Sequence, residues 1–354
     1  MKKKISLIMS LMLVISLFSL TGCGSASGEK KGEVRVYCLG DYFDPELISQ
    51  FEDKTGISVV ADYFDTNEEM YPVISKGSVD YDVICVSDYM ISRLISEGLL
   101  QKYDAANIPN LANIDDKYMK MSESFDPDMK YTVPHTWGTL GILYNKEHIA
   151  QDRIRSWNDL WREEFSQQIV MPDSMRDTYA IALKALGYSI NTTDENEIKA
   201  ATEYLEKQKS LVYKYANDSA RDMAIGGYAD IAVVWNGEVL YSQEDNDSLE
   251  FIIPEEGSES FLDMWAITAA AKNKENGETW INFMLGRDTA LMNFDYLTYS
   301  IPNKAVIDEI SSDARKKGYL FPDESITSKC EMLRNLGAEG DDLYSKYWKE
   351  FKAQ

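Results

Sequence analysis

The sequence predicts an α/β protein with two lobes and a hinged ligand cleft between them. After residue 33, strand and helix patterns alternate in a βαβαβ order, which is typical of a parallel-type sheet flanked by helices. Even after the predicted leader at residues 1–22 is removed, the chain is longer than one hydrophobic core usually fills, so two lobes are expected. Two predicted crossings between the lobes, near residues 135 and 260, would form the hinge.

The N-terminus has the pattern of an export signal. Met1-Lys-Lys-Lys4 is basic, and the uncharged, largely apolar segment Ile5–Leu20 is shorter than the roughly 20 residues of a spanning helix. The small residues that follow end in Cys23, where bacterial lipoprotein signals place the residue that is lipidated. An ordinary cleaved signal with a chance cysteine is the alternative. We therefore predict a signal peptide at 1–22, lipidation of Cys23, a tether at 23–32 and anchoring to the outer face of the cytoplasmic membrane.

The first lobe is predicted from residues 34–134. Pro45 at the first helical position, after Asp44 and before Glu46, indicates a helix start, and Gly56 indicates its end. Ligands of parallel sheets bind at the carboxyl ends of strands. The predicted strands are Val34–Cys38, Ile57–Phe64 and Tyr81–Val86, and the segments after them are Leu39-Gly40-Asp41, Asp65-Thr66-Asn67 and Ser87-Asp88-Tyr89.

The second lobe is predicted from residues 135–259, and residues 260–354 are predicted to complete the first. His135–Asn145 is a long strand pattern interrupted by glycine, which suits a crossover. Glu259–Thr268 is the return crossing. The elements expected between them are a helix that begins at Ser156, strands at Ile169–Asp173 and Ile231–Gly237, and helices at Asp177–Leu186 and Asp194–Lys209.

The chain is strongly acidic, with 59 acidic residues against 36 basic ones and a formal net charge of −23. This balance argues against nucleic acid and anionic lipid headgroups as partners, and it favours encounter with cations. Cys38 and Cys85 lie in apolar strand patterns, so buried free thiols are expected rather than a disulfide framework. His135 and His148 have no metal-ligand spacing. Neither a metal nor a cofactor is therefore expected.

Asp263 is the most informative candidate for ligand binding. Because residues two apart in a strand share a face, Phe261, Asp263 and Trp265 project to one side of the sheet. A carboxylate beside an aromatic ring suits an ammonium group, and each contact is worth on the order of 1 to 3 kcal/mol when desolvated. An aspartate that caps a turn or faces water is an equal alternative. Trp235, Tyr42, Tyr89 and Tyr299 lie at similar strand or helix ends and could equally belong to the core.

Asp173 and Asp177 raise the possibility of an enzyme. Two carboxylates with aromatic neighbours are also what a secreted glycoside hydrolase uses. Acids at these positions equally satisfy helix capping and dipole preferences. The sequence lacks a GxSxG motif, a Cys/His signature and a phosphate-binding glycine loop, so we expect a protein that is not an enzyme.

With these features in hand, the chain resembles the spermidine/putrescine-binding proteins of bacterial ABC importers from about Val34 to near the C-terminus. The segments that carry the resemblance are "FEDKTGISV", "NEEMYPVI", "YDVICVSDYMISRLISEGLLQKYD", "FDPDMKYTVPHTWGTLGILYN", "SWNDLW", "ALGYSINTTDENEI", "VVWNG" and "YSIPN". The fold that the resemblance implies is the two-lobe, type II periplasmic-binding-protein-like fold.

The resemblance also implies ligand contacts. Ser87, Tyr89, Asp177, Trp235, Asp263 and Tyr299 match the family's contact positions. The chain departs from the family's spermidine binder at Leu39-Gly40, Phe261 and Ser174, where that protein has Trp-Thr, tryptophan and a second acid, and an expected glutamine aligns near Leu333 or Arg334.

The implied function is capture of putrescine or spermidine outside the cell and delivery to an ABC permease and its ATPase, by a monomer. Because residues expected to line the ligand slot differ from those of the spermidine binder, a binding protein for another solute, such as an aminoalkyl compound or a sugar, is the nearest alternative. A secreted hydrolase and a surface adhesion protein are the rivals from other classes.

Overall fold

The computed structural model describes residues 31–40, 42–217, 219–307, 309–310, 318–322 and 324–353. Its strands form one mixed sheet in the order β2-β1-β3-β10-β5-β8-β6-β7, with β4 and β11 beside β10 and β9 beside β5. The strands are β1 Glu33–Leu39, β2 Ser58–Phe64, β3 Val83–Ser87, β4 Leu100–Gln101, β5 Thr132–Asn145, β6 Ile169–Met171, β7 Val212–Tyr215, β8 Ile231–Trp235, β9 Leu249–Ile252, β10 Glu259–Thr268 and β11 Glu331–Met332.

Helices cover both halves of this sheet. They are α1 Glu46–Thr55, α2 Asn67–Lys76, α3 Asp88–Ser96, α4 Asp116–Ser122, α5 Met175–Ala185, α6 Glu195–Gln208, α7 Ser219–Ile225, α8 Glu238–Asp245, α9 Lys274–Met284, α10 Arg287–Leu297, α11 Lys304–Ile307, α12 Glu324–Thr327 and α13 Gly337–Ala353. Short 3₁₀ helices occupy Ala105–Asn107, Pro109–Asn113, Gln151–Arg153, Trp157–Trp161 and Glu163–Phe165.

The predicted α/β fold is confirmed, and its first lobe has the predicted order. Strands β1, β2 and β3 pair in parallel, with α1 and α2 between them in the chain. The helix expected after Ser156 is instead a 3₁₀ helix, and its start has a capping box. The Ser156 hydroxyl accepts from the Asn158 N–H, and Asp159 accepts from the Ser156 N–H.

Strand β5 belongs to both lobes. From Thr132 to Thr139 it pairs with β10, and from Leu140 onward it pairs with β8 and β9. Its change of partner lies between Thr139 and Leu140, where the chain passes from one lobe to the other. The link from β9 to β10 returns the chain.

Apolar residues form separate cores in the two halves. The first contains Cys38 and Cys85, which are buried free thiols as predicted. A core of the second half contains Ile169, Leu205 and Tyr344. The predicted signal peptide, Cys23 and most of the predicted tether lie outside the described residues. Within the described ranges, no helix is long and apolar enough to cross a membrane.

The C-terminal helix packs differently from the prediction that residues 260–354 complete the first lobe. Tyr344, Tyr347 and Phe351 of α13 are buried in the second-half core, where α13 packs on α5 and α6. Phe294 and Leu320 likewise pack with residues of β8. The spacing of apolar residues predicts that a helix has a buried face, but it does not identify the surface that this face covers.

Candidate functional site

Asp263 lies in the middle of the sheet, with Ser87 of β3 and Thr136 of β5 as its register partners. Its side chain is 2% exposed. Its Oδ2 accepts from the Tyr42 hydroxyl and, at 3.4 Å, from the Thr136 hydroxyl, while its Oδ1 has no hydrogen-bond partner among the described residues. A buried carboxylate oxygen without a donor is costly, so this oxygen is suited to a cationic donor from a ligand.

The pKa of Asp263 reflects this burial. Burial raises the pKa of the carboxyl to about 6, against the lowering effect of the hydroxyls of Tyr42, Ser87 and Thr136. At neutral pH the group is therefore mainly ionised, and its charge is only partly compensated.

Tyr42 is the residue after β1 that reaches Asp263. Its backbone carbonyl lies 3.0 Å from the Nε2 of buried His135, whose pKa burial lowers to about 4. Leu39 and Gly40 stand where the family's spermidine binder has Trp-Thr. Leu39 is partly buried and packs against the first core, and Gly40 is exposed. From the sequence, Tyr42 is only one of several rings that could belong to the core. The signal that could have found it is its position just beyond the carboxyl end of β1.

Three rings gather around Phe261, two residues before Asp263 in β10. The Phe261 ring meets Trp235 edge-on, with centroids 5.0 Å apart, and lies 6.0 Å from Tyr299. The Tyr299 hydroxyl donates to Glu238 at 2.9 Å. Its ring lies directly against Gly237, where any side chain would collide with it. These residues come from β8, β10 and the segment after α10, so the rings gather only in the folded chain.

A cavity of about 160 Å³ adjoins these rings. Ser174, Asp177, Arg221, Glu238, Trp235 and Tyr299 are among its lining residues. Burial raises the pKa of Asp177 to about 6, and the Ser174 hydroxyl and the Arg176 charge oppose this rise. Arg221 is ion-paired with Glu238 and Asp222. Of the two acids that line the cavity, Glu238 is paired with Arg221, whereas Asp177 has no ion pair within the described residues.

Asp173 does not share the position of Asp177. It is exposed, and its Oδ1 lies 2.5 Å from Lys352 on α13. The two acids considered for a hydrolase are thus divided between the surface and the cavity. This arrangement counts against the hydrolase hypothesis, because that chemistry needs both carboxyl groups at one bond.

Ser87 ends β3, and Tyr89 lies in the first turn of α3. Ser87 accepts from the Asn67 amide at 3.0 Å, and the Tyr89 hydroxyl donates to Glu68 at 2.8 Å. The Tyr89 side chain packs against the small cluster of Ala180, Ile190 and Leu333, which includes α5. Tyr89 therefore contacts the second lobe.

Sequence reasoning singled out neither of two buried acids, Asp88 and Glu259, as a candidate site residue. Asp88 is 1% exposed and accepts from the backbone N–H groups of Tyr89 and Leu262. Glu259 is 4% exposed, and its Oε2 has no partner in the described parts of the chain. The alternation that selected Asp263 also places Glu259 on the same face, so the signal was present. Within the described ranges, no group of three or more His, Cys, Asp or Glu residues is arranged to hold a metal ion.

Comparison with known proteins identifies the family. Residues 46–318 match the model of the bacterial extracellular solute-binding protein family. The chain belongs to this family. One member, the spermidine/putrescine-binding periplasmic protein of Salmonella typhimurium, is 32% identical over 333 residues, which are 94% of this chain and 95% of that protein.

Solved structures agree with this family membership. A protein of Listeria monocytogenes, described as a spermidine/putrescine ABC transporter, has a TM-score of 0.84 and 34% identity, over 90% of this chain and 98% of that one. The substrate-binding protein PotD of Streptococcus pneumoniae, solved with calcium and HEPES, has a TM-score of 0.82 and 32% identity, over 91% and 99%. The predicted two-lobe binding-protein fold and the recognised family are both confirmed.

Proposed function

We propose that this protein captures a di- or polyamine in the cleft between its lobes and delivers it to the membrane permease of an ABC importer. The observation that carries the proposal is the Oδ1 of Asp263, a buried carboxylate oxygen without a donor among the described residues. It lies two residues along β10 from the Phe261 ring, which Trp235 and Tyr299 flank. The names of the relatives from Salmonella and Listeria support the same ligand class.

The chemistry of the cleft suits an alkyl ammonium ion. An ammonium group brings three N–H donors and a positive charge, and it can leave water only where acceptors replace its hydration. Asp263 would accept from one ammonium group, and Asp177 in the adjoining cavity would accept from another. The rings of Trp235, Phe261 and Tyr299 would cover the methylene chain and attract the cation with their faces.

Further contacts follow from the same proposal. Ser87 and Tyr89 would line the first-lobe side of the ligand, and Ser174 would orient Asp177, whose pKa its hydroxyl lowers. Leu39 and Gly40 would border the open end of the cleft beside Tyr42. The ligand is bound without a covalent step, so no catalytic residue is proposed.

The remaining proposals concern where the protein is located and which partners it has. We propose that the exported chain is anchored through lipidated Cys23 to the outer face of the cytoplasmic membrane and acts there as a monomer. It would deliver its ligand to a permease coupled to an ATPase. The hinge is proposed in β5 and β10, the strands predicted to cross near residues 135 and 260; within β5 the pairing changes between Thr139 and Leu140.

A second candidate ligand is an aminoalkyl carboxylate. Arg221 lines the cavity together with Asp177, so an anionic group has one guanidinium within the site. Because Glu238 and Asp222 already pair with Arg221, this candidate is the weaker one.

A thermal-shift screen tests the proposal. A ligand that binds only the folded state raises the melting temperature, by an amount that grows with ligand concentration. Putrescine, spermidine, γ-aminobutyrate, glucose and an uncharged diol of matched length would be compared. We expect shifts with the two amines alone. A shift with γ-aminobutyrate and none with the amines would favour the second candidate, and a shift with glucose alone would contradict both.

A further inference from the structure

Arg221 of α7 is a base in the wall of the cavity that would hold one ammonium group of the ligand. Its guanidinium is ion-paired with Glu238 of α8 and, at 3.2 Å, with Asp222, and it lies 4.4 Å from the centre of the Tyr241 ring. Arginine does not lose its proton in proteins. A fixed positive charge therefore lines a site whose proposed ligand is a cation.

The charges in the cavity wall leave one acid for the ligand. Among the described residues that line the cavity, Asp177 and Glu238 are the acids and Arg221 is the only base, which gives a formal net charge of −1. Both carboxylate oxygens of Glu238 are engaged, because Oε2 accepts from Arg221 and Oε1 accepts from the Tyr299 hydroxyl at 2.9 Å. The Asp222 side chain is 63% exposed, so water screens its charge. Asp177 is left to bind one ammonium group.

The Tyr299 hydroxyl connects this ion pair with the rest of the cleft. Burial, followed by the charge of Glu238, holds the pKa of Tyr299 well above its usual range; the charge of Asp263 acts in the same direction, and that of Arg221 opposes it. The ion pair and Asp263 therefore lie close enough to act on one hydroxyl group. A ligand that extends from Asp263 to Asp177 would pass beside the ion pair.

The number of charges on the ligand then matters. A linear diamine brings two ammonium groups, which Asp263 and Asp177 would bind. A linear triamine brings a third, which would lie beside the ion pair without a free carboxylate, and a desolvated ammonium group without an acceptor is costly. Replacing Arg221 with a neutral residue would free the Oε2 of Glu238 for this third group.

We propose that Arg221 is a specificity-determining residue, which neutralises Glu238 and thereby makes the cleft favour a linear diamine over a linear triamine. The inference rests on the proposed function and deepens it, because it selects the ligand class by the number of its charges. Arg221 acts on the ligand through Glu238, so no contact between the guanidinium and the ligand is required.

The test is isothermal titration calorimetry of the full mature chain with putrescine, spermidine and 1,8-diaminooctane. The last has as many bonds between its terminal nitrogens as spermidine but only two charges, so it separates ligand length from ligand charge. We expect the wild type to bind putrescine and 1,8-diaminooctane more tightly than spermidine. Arg221→Gln should raise the affinity for spermidine relative to that for putrescine about tenfold, which corresponds to one charge-assisted hydrogen bond.

Two further variants separate the effect of charge from that of structure. Glu238→Gln breaks the same ion pair but leaves Arg221 uncompensated, so it should lower the relative affinity for spermidine at least threefold. The double variant Arg221→Gln with Glu238→Gln restores the charge balance and should return the relative affinity to within twofold of the wild type. Exposed Arg153, which pairs with Glu164 at 2.6 Å, supplies the matched control, since Arg153→Gln removes the same charge and should leave the relative affinity unchanged.

The outcomes distinguish this role from the proposed function. An unchanged relative affinity in Arg221→Gln, or a shift in the same direction in both single variants, would overturn the role of Arg221. Wild-type binding of spermidine that is tighter than that of putrescine, or equal to that of 1,8-diaminooctane, would overturn it as well. In each of these cases, putrescine binding by the wild type leaves the proposed function standing.

If the wild type binds none of the amines, the proposed function fails and the role of Arg221 with it. The melting temperatures of the ligand-free variants show whether they are folded. Should Arg221→Gln not fold, Glu238→Gln and the double variant still decide the question, because a relative affinity for spermidine that does not fall in the first and recover in the second contradicts the role of charge.

Discussion

Replacing Asp263 with asparagine is the most direct test of the cleft. The substitution removes the charge and keeps the shape, and the new amide oxygen can still accept from Tyr42 and Thr136. A hydrogen bond to a charged partner contributes about 1.5 to 3 kcal/mol, and each 1.4 kcal/mol is a factor of ten in affinity. Because Asp263 is 2% exposed, solvent does not screen this interaction away. We expect Asp263→Asn to weaken putrescine and spermidine at least tenfold.

The assay is calorimetric titration of wild type and variant at pH 7.5 and low salt. Asp173→Asn is the matched control, because Asp173 is exposed and pairs with Lys352 rather than lining the cavity. It should change the affinity by less than twofold. Unchanged amine affinity in Asp263→Asn would remove Asp263 from the site and refute the reasoning.

Four further predictions can be checked with the same preparations. Since burial raises the pKa of Asp263 and Asp177 to about 6, amine affinity should fall as the pH drops from 7 to 5; affinity constant over this range would contradict the role of their charged forms. Because the pKa of Asp263 is higher in the folded than in the unfolded state, the ligand-free wild type gains stability as the pH falls from about 6 to 4. At pH 7.5 its free energy of unfolding should be about 3 kcal/mol below that of Asp263→Asn. Urea unfolding should show this difference shrinking on acidification. Tyr42→Phe removes a donor to Asp263 and should move the acid limb of the affinity profile to higher pH, whereas an unmoved limb would contradict the contact. Phe261→Ala should weaken amines about tenfold and alter the fluorescence of Trp235, and an unchanged affinity would mean that the ring does not face the ligand.

Much of the first lobe could be predicted because its signals are local. The parallel strands β1 to β3 and the helices between them follow from apolar runs, Pro45 and Gly56, all within a short stretch of chain. Alternation in β10 likewise places Asp263 and Phe261 on one face from the residue pattern alone. The same rule covers Glu259, but its burial depends on elements that pack around the start of β10, and alternation does not show this.

What the sequence by itself determined is the type of most elements and the side on which their residues project, because both follow from the periodicity of a few neighbouring residues. Only the tertiary structure decided which distant residues contact one another. Tyr42 donates to an acid 221 positions away, and Asp173 pairs with a lysine 179 positions away. The C-terminal helix packs on the second lobe for the same reason. Contacts between distant segments depend on how complete surfaces fit together, and no local pattern encodes that fit.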